Sequence, residues 1–153
     1  MAITVTKTFC TSAPIDKVWA LLSDPMQVVT CIPGAQITEQ VNFSTYKGSV
    51  QMKMGASVSN YTGTVQILRV DQNAHEIEIF GKGKDAGGRG SASLKMTGKV
   101  RSLPDGSTEI TGISEMNVIG LVAQMGSRVF GQVADFMFNE FTKNVQERLG
   151  KPK

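Results

Sequence analysis

Polar and apolar residues alternate along most of this chain, and the alternation changes period twice. Residues 3–9 set Ile3, Val5 and Phe9 on one face and Thr4, Thr6 and Thr8 on the other, which predicts a first strand. The stretch Thr11-Ser12-Ala13-Pro14 then reads as a helix start, with Ser12 as the cap, Pro14 in the first turn and Asp16 at the positive end of the helix dipole. That helix runs to about Leu22 and buries Val18, Trp19, Leu21 and Leu22. Ser23-Asp24-Pro25 restarts a second short helix, which Pro33-Gly34 ends.

From residue 35 to 119 the period is two. Tyr46, Gly48, Val50, Met52 and Met54 share a face, and Gly90, Ala92, Leu94, Met96, Gly98 and Val100 alternate with a polar set that includes Ser91, Ser93, Lys95 and Thr97. Two less regular strands fall near 57–70 and 74–83, and a last one covers about 107–119. Asp71-Gln72-Asn73, Gly87-Gly88 and Pro104-Asp105-Gly106 are turn signals at hairpin spacing. One polar and one apolar face predict an antiparallel sheet covered on a single side.

The cover is the segment 121–149, where the period becomes 3.6. Arg128, Gln132, Asp135, Asn139, Lys143 and Gln146 form a polar stripe opposite Val122, Met125, Val129, Phe130, Val133, Met137, Phe141 and Val145. The prediction is an α+β fold: a curved antiparallel sheet of about seven strands around a long C-terminal helix, with two short helices after the first strand. It occupies 1–149 as one domain, and 150–153 form a basic stub.

Composition narrows the function classes. With 41% hydrophobic and 19% charged residues, a disordered chain, a coiled coil and a collagen-like fibre are excluded. A formal charge of +3 is mild for a nucleic-acid binder, and no aromatic platform interleaves the basic strand, so no nucleic-acid partner is expected. Two cysteines and one histidine do not assemble a zinc or iron–sulfur site, so no metal is expected; Cys10 and Cys31 read as reduced, packed thiols. The N-terminal residues lack the charged start and apolar run of a signal peptide, and no stretch approaches 18 apolar residues. A cytoplasmic location is the expectation.

The inward positions carry the most information. Met52, Met54, Met96, Met116, Met125 and Met137 fall on them, interleaved with Gly48, Gly90, Ala92, Gly98 and Gly112. Flexible, polarizable methionines beside missing side chains suit a lined hollow for varied apolar ligands, although an apolar stripe also suits an ordinary core. The candidate lining is Met52, Met54, Tyr61, Met96, Met116, Met125, Val129, Val133 and Met137. No catalytic set emerges: His75 reads as solvent-exposed, the cysteines have no histidine partner, and the carboxylates read as solvent-face residues. Residues 81–90, Gly-Lys-Gly-Lys-Asp-Ala-Gly-Gly-Arg-Gly, lack the ending of a phosphate-binding loop and lead to no helix, so a hairpin tip is predicted. Its basic residues could attract an acidic surface or lipid headgroups.

Several motifs also carry a family resemblance. Ala13-Pro14-Ile15-Asp16-Lys17-Val18-Trp19-Ala20-Leu21-Leu22-Ser23-Asp24-Pro25 resembles the opening of START-like (SRPBCC) ligand-binding domains. Cys31-Ile32-Pro33-Gly34-Ala35, the 81–92 run and Gly120-Leu121-Val122-Ala123-Gln124-Met125-Gly126-Ser127-Arg128 make the chain similar to the CoxG family of carbon monoxide dehydrogenase subunits over residues 2–149. The resemblance implies a helix-grip fold with a cavity between sheet and helix. It implies a non-catalytic accessory role beside a molybdenum hydroxylase of the carbon monoxide dehydrogenase type, in membrane recruitment or electron delivery, with a bound quinone of menaquinone or ubiquinone type. Peripheral contact with the inner face of the cell membrane belongs to the same expectation. The competing class is a START-like cyclase or aromatase, in which Tyr61 is the best placed titratable group.

Overall fold

The computed structural model describes residues 2–54, 57–88, 90–120 and 126–149, without the side chains of 52–54, 57, 126, 127, 129 and 130. Its elements follow the order read from the periodicities. Strand β1 (Ala2–Thr11) leads into α1 (Ile15–Leu22), α2 (Pro25–Val28) and a single 3-10 turn (Val29–Cys31). Six strands follow: β2 (Ala35–Gln40), β3 (Thr45–Met54), β4 (Ser57–Asp71), β5 (Glu76–Asp85), β6 (Gly90–Ser102) and β7 (Thr108–Gly120). Helix α3 (Gly126–Arg148) closes the described chain. Its 23 residues span about 34 Å. The expected start at 121 lies outside the described residues.

All strand pairs are antiparallel, and the sheet order is β1-β7-β6-β5-β4-β3-β2. Each hairpin joins neighbours, and the long connection through α1 and α2 carries the chain from β1 at one edge of the sheet to β2 at the other, while β7 returns to pair with β1. Exposure alternates residue by residue along β1, as one-sided cover requires. All six residues of the predicted polar stripe on α3 are exposed, whereas Val133, Met137, Phe141 and Val145 face inward.

The helix starts obey local chemistry, with one correction. Ser12 does not cap α1; the first turn begins at the Pro14 carbonyl, which accepts from the N–H groups of Lys17 and Val18. Asp24 caps α2 by accepting from the Met26 N–H at 3.0 Å, with Pro25 in the first turn.

Glycine concentrates along one register row of the curved sheet. Gly48, Gly63, Gly83 and Ala92 are successive partners across β3, β4, β5 and β6. A Cβ on Gly63 would lie 1.9 Å from the Lys82 carbonyl oxygen, and one on Gly48 would lie 2.6 Å from that of Gln36. The backbones approach so closely on the concave side that only glycine fits there.

The main buried cluster sits at the end of the sheet that carries α1. It joins Ala13, Val18, Trp19, Leu21, Cys31, Val100, Ile110, Val145 and Leu149, with Phe9 and Phe141 packed against it. The lower turns of α3 are tied down there. Asn144 Nδ2 donates to the Cys31 carbonyl at 3.0 Å, Gln146 Nε2 donates to the Cys10 carbonyl at 3.2 Å, and Arg148 donates to the Thr30 hydroxyl.

Two expectations at this end need correction. His75 is half-buried, not exposed: it takes a left-handed φ of 56° in the β4–β5 turn and meets Trp19 edge-on at 5.3 Å. The two thiols also differ. Cys31 is buried, whereas Cys10 lies on the exposed face of β1. Burial pushes the Cys31 thiol up from its ordinary value, with the Thr30 hydroxyl and the Arg148 charge opposing. A raised pKa lowers the thiolate fraction at neutral pH, and the thiolate is the nucleophile. Titration of the native protein with an aromatic disulfide reagent is expected to modify one thiol per chain rapidly and the second only on unfolding. Two fast thiols in the native state would contradict the packing around Cys31.

Candidate functional site

The end of the concave face away from α1 is built differently. Its buried cluster contains only Tyr61 and Val118 among the described residues, with Ile3, Val50, Ala92, Met116 and Val133 packed against it. The glycine row crosses this region. Glycine at 48, 63 and 83 and alanine at 92 leave this row of the sheet without large side chains, and Val133 of α3 packs on the same cluster as Ala92. Large residues stand on either side, with Val50 and Tyr61 on one flank and Leu94 and Met116 on the other.

The predicted lining residues fall as follows. Tyr61 is buried, and Met96, Met116, Val133 and Met137 are half-buried on inward positions. Met116 and Val133 meet at the Tyr61–Val118 cluster, which joins sheet to helix. Met52 and Met54 belong to β3 and Val129 to α3, but their side chains lie outside the described residues, as does Met125 altogether.

Sequence reasoning misses several polar groups on this face. Ser59 and Asp85 are 3% and 4% exposed, and Asp85 is the register partner of Tyr61. The Asp85 carboxylate accepts from the Gly87 N–H at 3.0 Å and so shapes the β5–β6 turn. Phase alone could have found both: Ser59 and Asp85 share the parity of Tyr61 and Gly83.

Lys7 is the other omission. It shares the inward phase of Ile3, Val5 and Phe9, and its ammonium reaches Asp135 Oδ1 on α3 at 2.5 Å. Lys7 is thus a cation at an inward strand position.

The outer face sorts its charges. Arg69 pairs with Glu78 at 2.5 Å, Glu76 at 2.9 Å and Asp71 at 3.6 Å. The Arg69 hydrogen bond holds the Glu78 carboxyl below its ordinary value. These acids lie toward the α1 end, whereas Lys47, Lys82 and Lys84 lie toward the other end on neighbouring strands. Among the described residues, no three His, Cys, Asp or Glu side chains converge as a metal site would require. No helix among them is long and apolar enough to cross a membrane.

A strongly curved antiparallel sheet holding one long C-terminal helix defines a START-like fold. Solved structures agree on the architecture. A conserved protein from Geobacillus kaustophilus superposes with a TM-score of 0.86 at 22% identity, covering 97% of this chain and 96% of that one. The Zhui aromatase/cyclase from Streptomyces sp. R1128 gives 0.70 at 12% identity, covering 97% and 94%. A START superfamily protein from Mycobacterium smegmatis gives 0.64 at 16% identity, covering 95% and 96%. No curated protein is detectably similar in sequence. The sequence signature of CoxG, a subunit of carbon monoxide dehydrogenase, matches residues 8–150, and the chain belongs to the CoxG family.

Proposed function

We propose that this chain is a non-catalytic accessory protein that holds a lipophilic ligand, a quinone with an isoprenoid tail, between its sheet and α3. It serves a molybdenum hydroxylase of the carbon monoxide dehydrogenase type, recruiting it to the inner face of the membrane or taking electrons from it onto the bound quinone. The observation that carries this reading is the contrast between the two ends of the concave face. The α1 end is filled by large side chains, whereas the other end is floored by Gly48, Gly63, Gly83 and Ala92, with Val133 of α3 packed beside them. An elongated apolar space suits a chain bearing a ring, and removing that area from water supplies about 25 cal/mol per Å². A bound quinone would supply the redox chemistry itself; the protein's part is to bind and shield it. Family membership supports the partner, since the family takes its name from carbon monoxide dehydrogenase.

A second reading, a cyclase-type enzyme, is favoured by Tyr61. Its phenol is buried on the concave face beside the buried Asp85, and an aromatase/cyclase is among the similar folds. One experiment separates the two. Wild type, Val133→Trp and Tyr61→Phe are titrated with menaquinone and ubiquinone analogues and assayed for turnover of aromatic polyketide-like substrates. The expected result is saturable quinone binding, lost at least tenfold in Val133→Trp with the fold retained, and no turnover by any variant. Turnover lost in Tyr61→Phe would favour the cyclase, and undiminished binding in Val133→Trp would remove the ligand from beneath α3.

A further inference from the structure

We propose that Lys7, held by Asp135, is the group that recognises the polar end of the bound molecule, and that the pair selects an uncharged carbonyl over a carboxylate. This deepens the ligand-binding reading and rests on it. Lys7 lies on edge strand β1 and bridges to α3 at the solvent-exposed rim of the concave face, its ammonium 2.5 Å from Asp135 Oδ1 and 5.9 Å from the Phe138 ring centre. Its register partner on β7 is Gly112, where an added Cβ would meet nothing within 4 Å. The lysine therefore borders open space on the concave side. Ser114, one inward position along β7, adds a hydroxyl to the same corner.

Charge decides what this corner accepts. An ammonium has three donors, and Asp135 uses one, so two remain for an incoming oxygen. Lys7 and Asp135 are the only charges among the inward residues of β1, the inward residues of β7 and positions 131–139 of α3. The corner is thus neutral overall. A carbonyl oxygen gains charge-assisted hydrogen bonds there without disturbing the pair. A carboxylate must approach Asp135 or displace it, and like charges at close range oppose that. Phe136, next to Asp135 and 55% exposed, gives the rim an apolar lip where a chain could pass.

The test is displacement of the neutral dye N-phenyl-1-naphthylamine by three ligands of similar length: decyl-1,4-benzoquinone, dodecanoate and decylbenzene. Wild type should bind the benzoquinone about tenfold more tightly than decylbenzene, and dodecanoate no better than decylbenzene. Lys7→Met and Lys7→Gln should bring the benzoquinone down to the level of decylbenzene, and leave decylbenzene itself unchanged. Asp135→Asn keeps the ammonium and removes the competing charge, so dodecanoate should gain about tenfold while the benzoquinone moves less than threefold. Thermal melts of each variant show whether the fold is retained, and the Asp135→Asn arm does not depend on removing the lysine. If decylbenzene displaces the dye but the benzoquinone has no advantage, or keeps it in both Lys7 variants, Lys7 is not the recognising group although the cavity stands. If no ligand displaces the dye from wild type, the cavity reading fails and this one fails with it.

Discussion

Gly63→Val is expected to destabilise the protein by about 3 kcal/mol or more, and to lower its melting temperature by roughly 6–12 °C. The side chain would begin with a Cβ 1.9 Å from the Lys82 carbonyl oxygen and 2.6 Å from the Gly83 Cα. Neither atom is the end of a flexible group, so β4 and β5 must part where they are paired. Parting them stretches ladder hydrogen bonds on both sides and flattens the bend that lets the sheet follow α3. Gly112→Ala is the control. An added Cβ there meets nothing within 4 Å, so stability should change by less than about 1 kcal/mol, with a small gain from the stiffer unfolded chain. The single tryptophan, Trp19, is 7% exposed, so its emission reports unfolding in both variants. Equal melting temperatures for the two would mean that the sheet is not held at this bend.

Trp19→Ala should remove about 3–5 kcal/mol, the usual range for truncating a buried large aromatic. Trp19 comes from the Val18-Trp19 pair of α1 and fills the main cluster beside Leu21 and Val100. Its indole N–H donates to Gln72 Oε1 at 2.9 Å, and its ring meets His75 edge-on. Truncation opens a cavity between α1 and the β4–β5 turn and frees both turn residues. Trp19→Phe keeps most of the apolar contact and loses only the hydrogen bond and part of the ring, so it should cost less than half as much. Because this cluster lies at the opposite end from the glycine row, Trp19→Phe should leave quinone binding within threefold of wild type. Circular dichroism melts of the three proteins check the order, and a Trp19→Phe variant as damaged as Trp19→Ala would contradict it.

Much of the architecture is legible because the two periodicities are clean. A period of two over β3 to β7 separates polar from apolar faces, and turn residues mark the hairpins between them. The polar stripe of α3 emerges from a 3.6 period, since each exposed position repeats after three or four residues. Ser12 misleads as a cap because a capping residue type near a proline says nothing about which carbonyl starts the first turn. His75 misleads because a turn residue's exposure depends on what packs over the turn, here Trp19 from more than fifty positions away.

The candidate site divides the same way. Alternation places Tyr61, Met96, Met116 and Val133 on the concave side, since the direction of a strand side chain follows from parity alone. It also places Lys7 there, but nothing local explains a charged residue in an apolar row. Its explanation, Asp135, stands 128 residues away. Neighbours along the chain set the strands, the helices, their order and the face to which a strand or helix position points, so these are legible before any folding is considered. Packing of distant segments brings Lys7 to Asp135, buries Asp85 beside Tyr61, and sets Gly63 where two backbones nearly touch. Each of those depends on how far the sheet bends and where α3 crosses it, and contacts between distant segments are fixed by packing rather than by local preference.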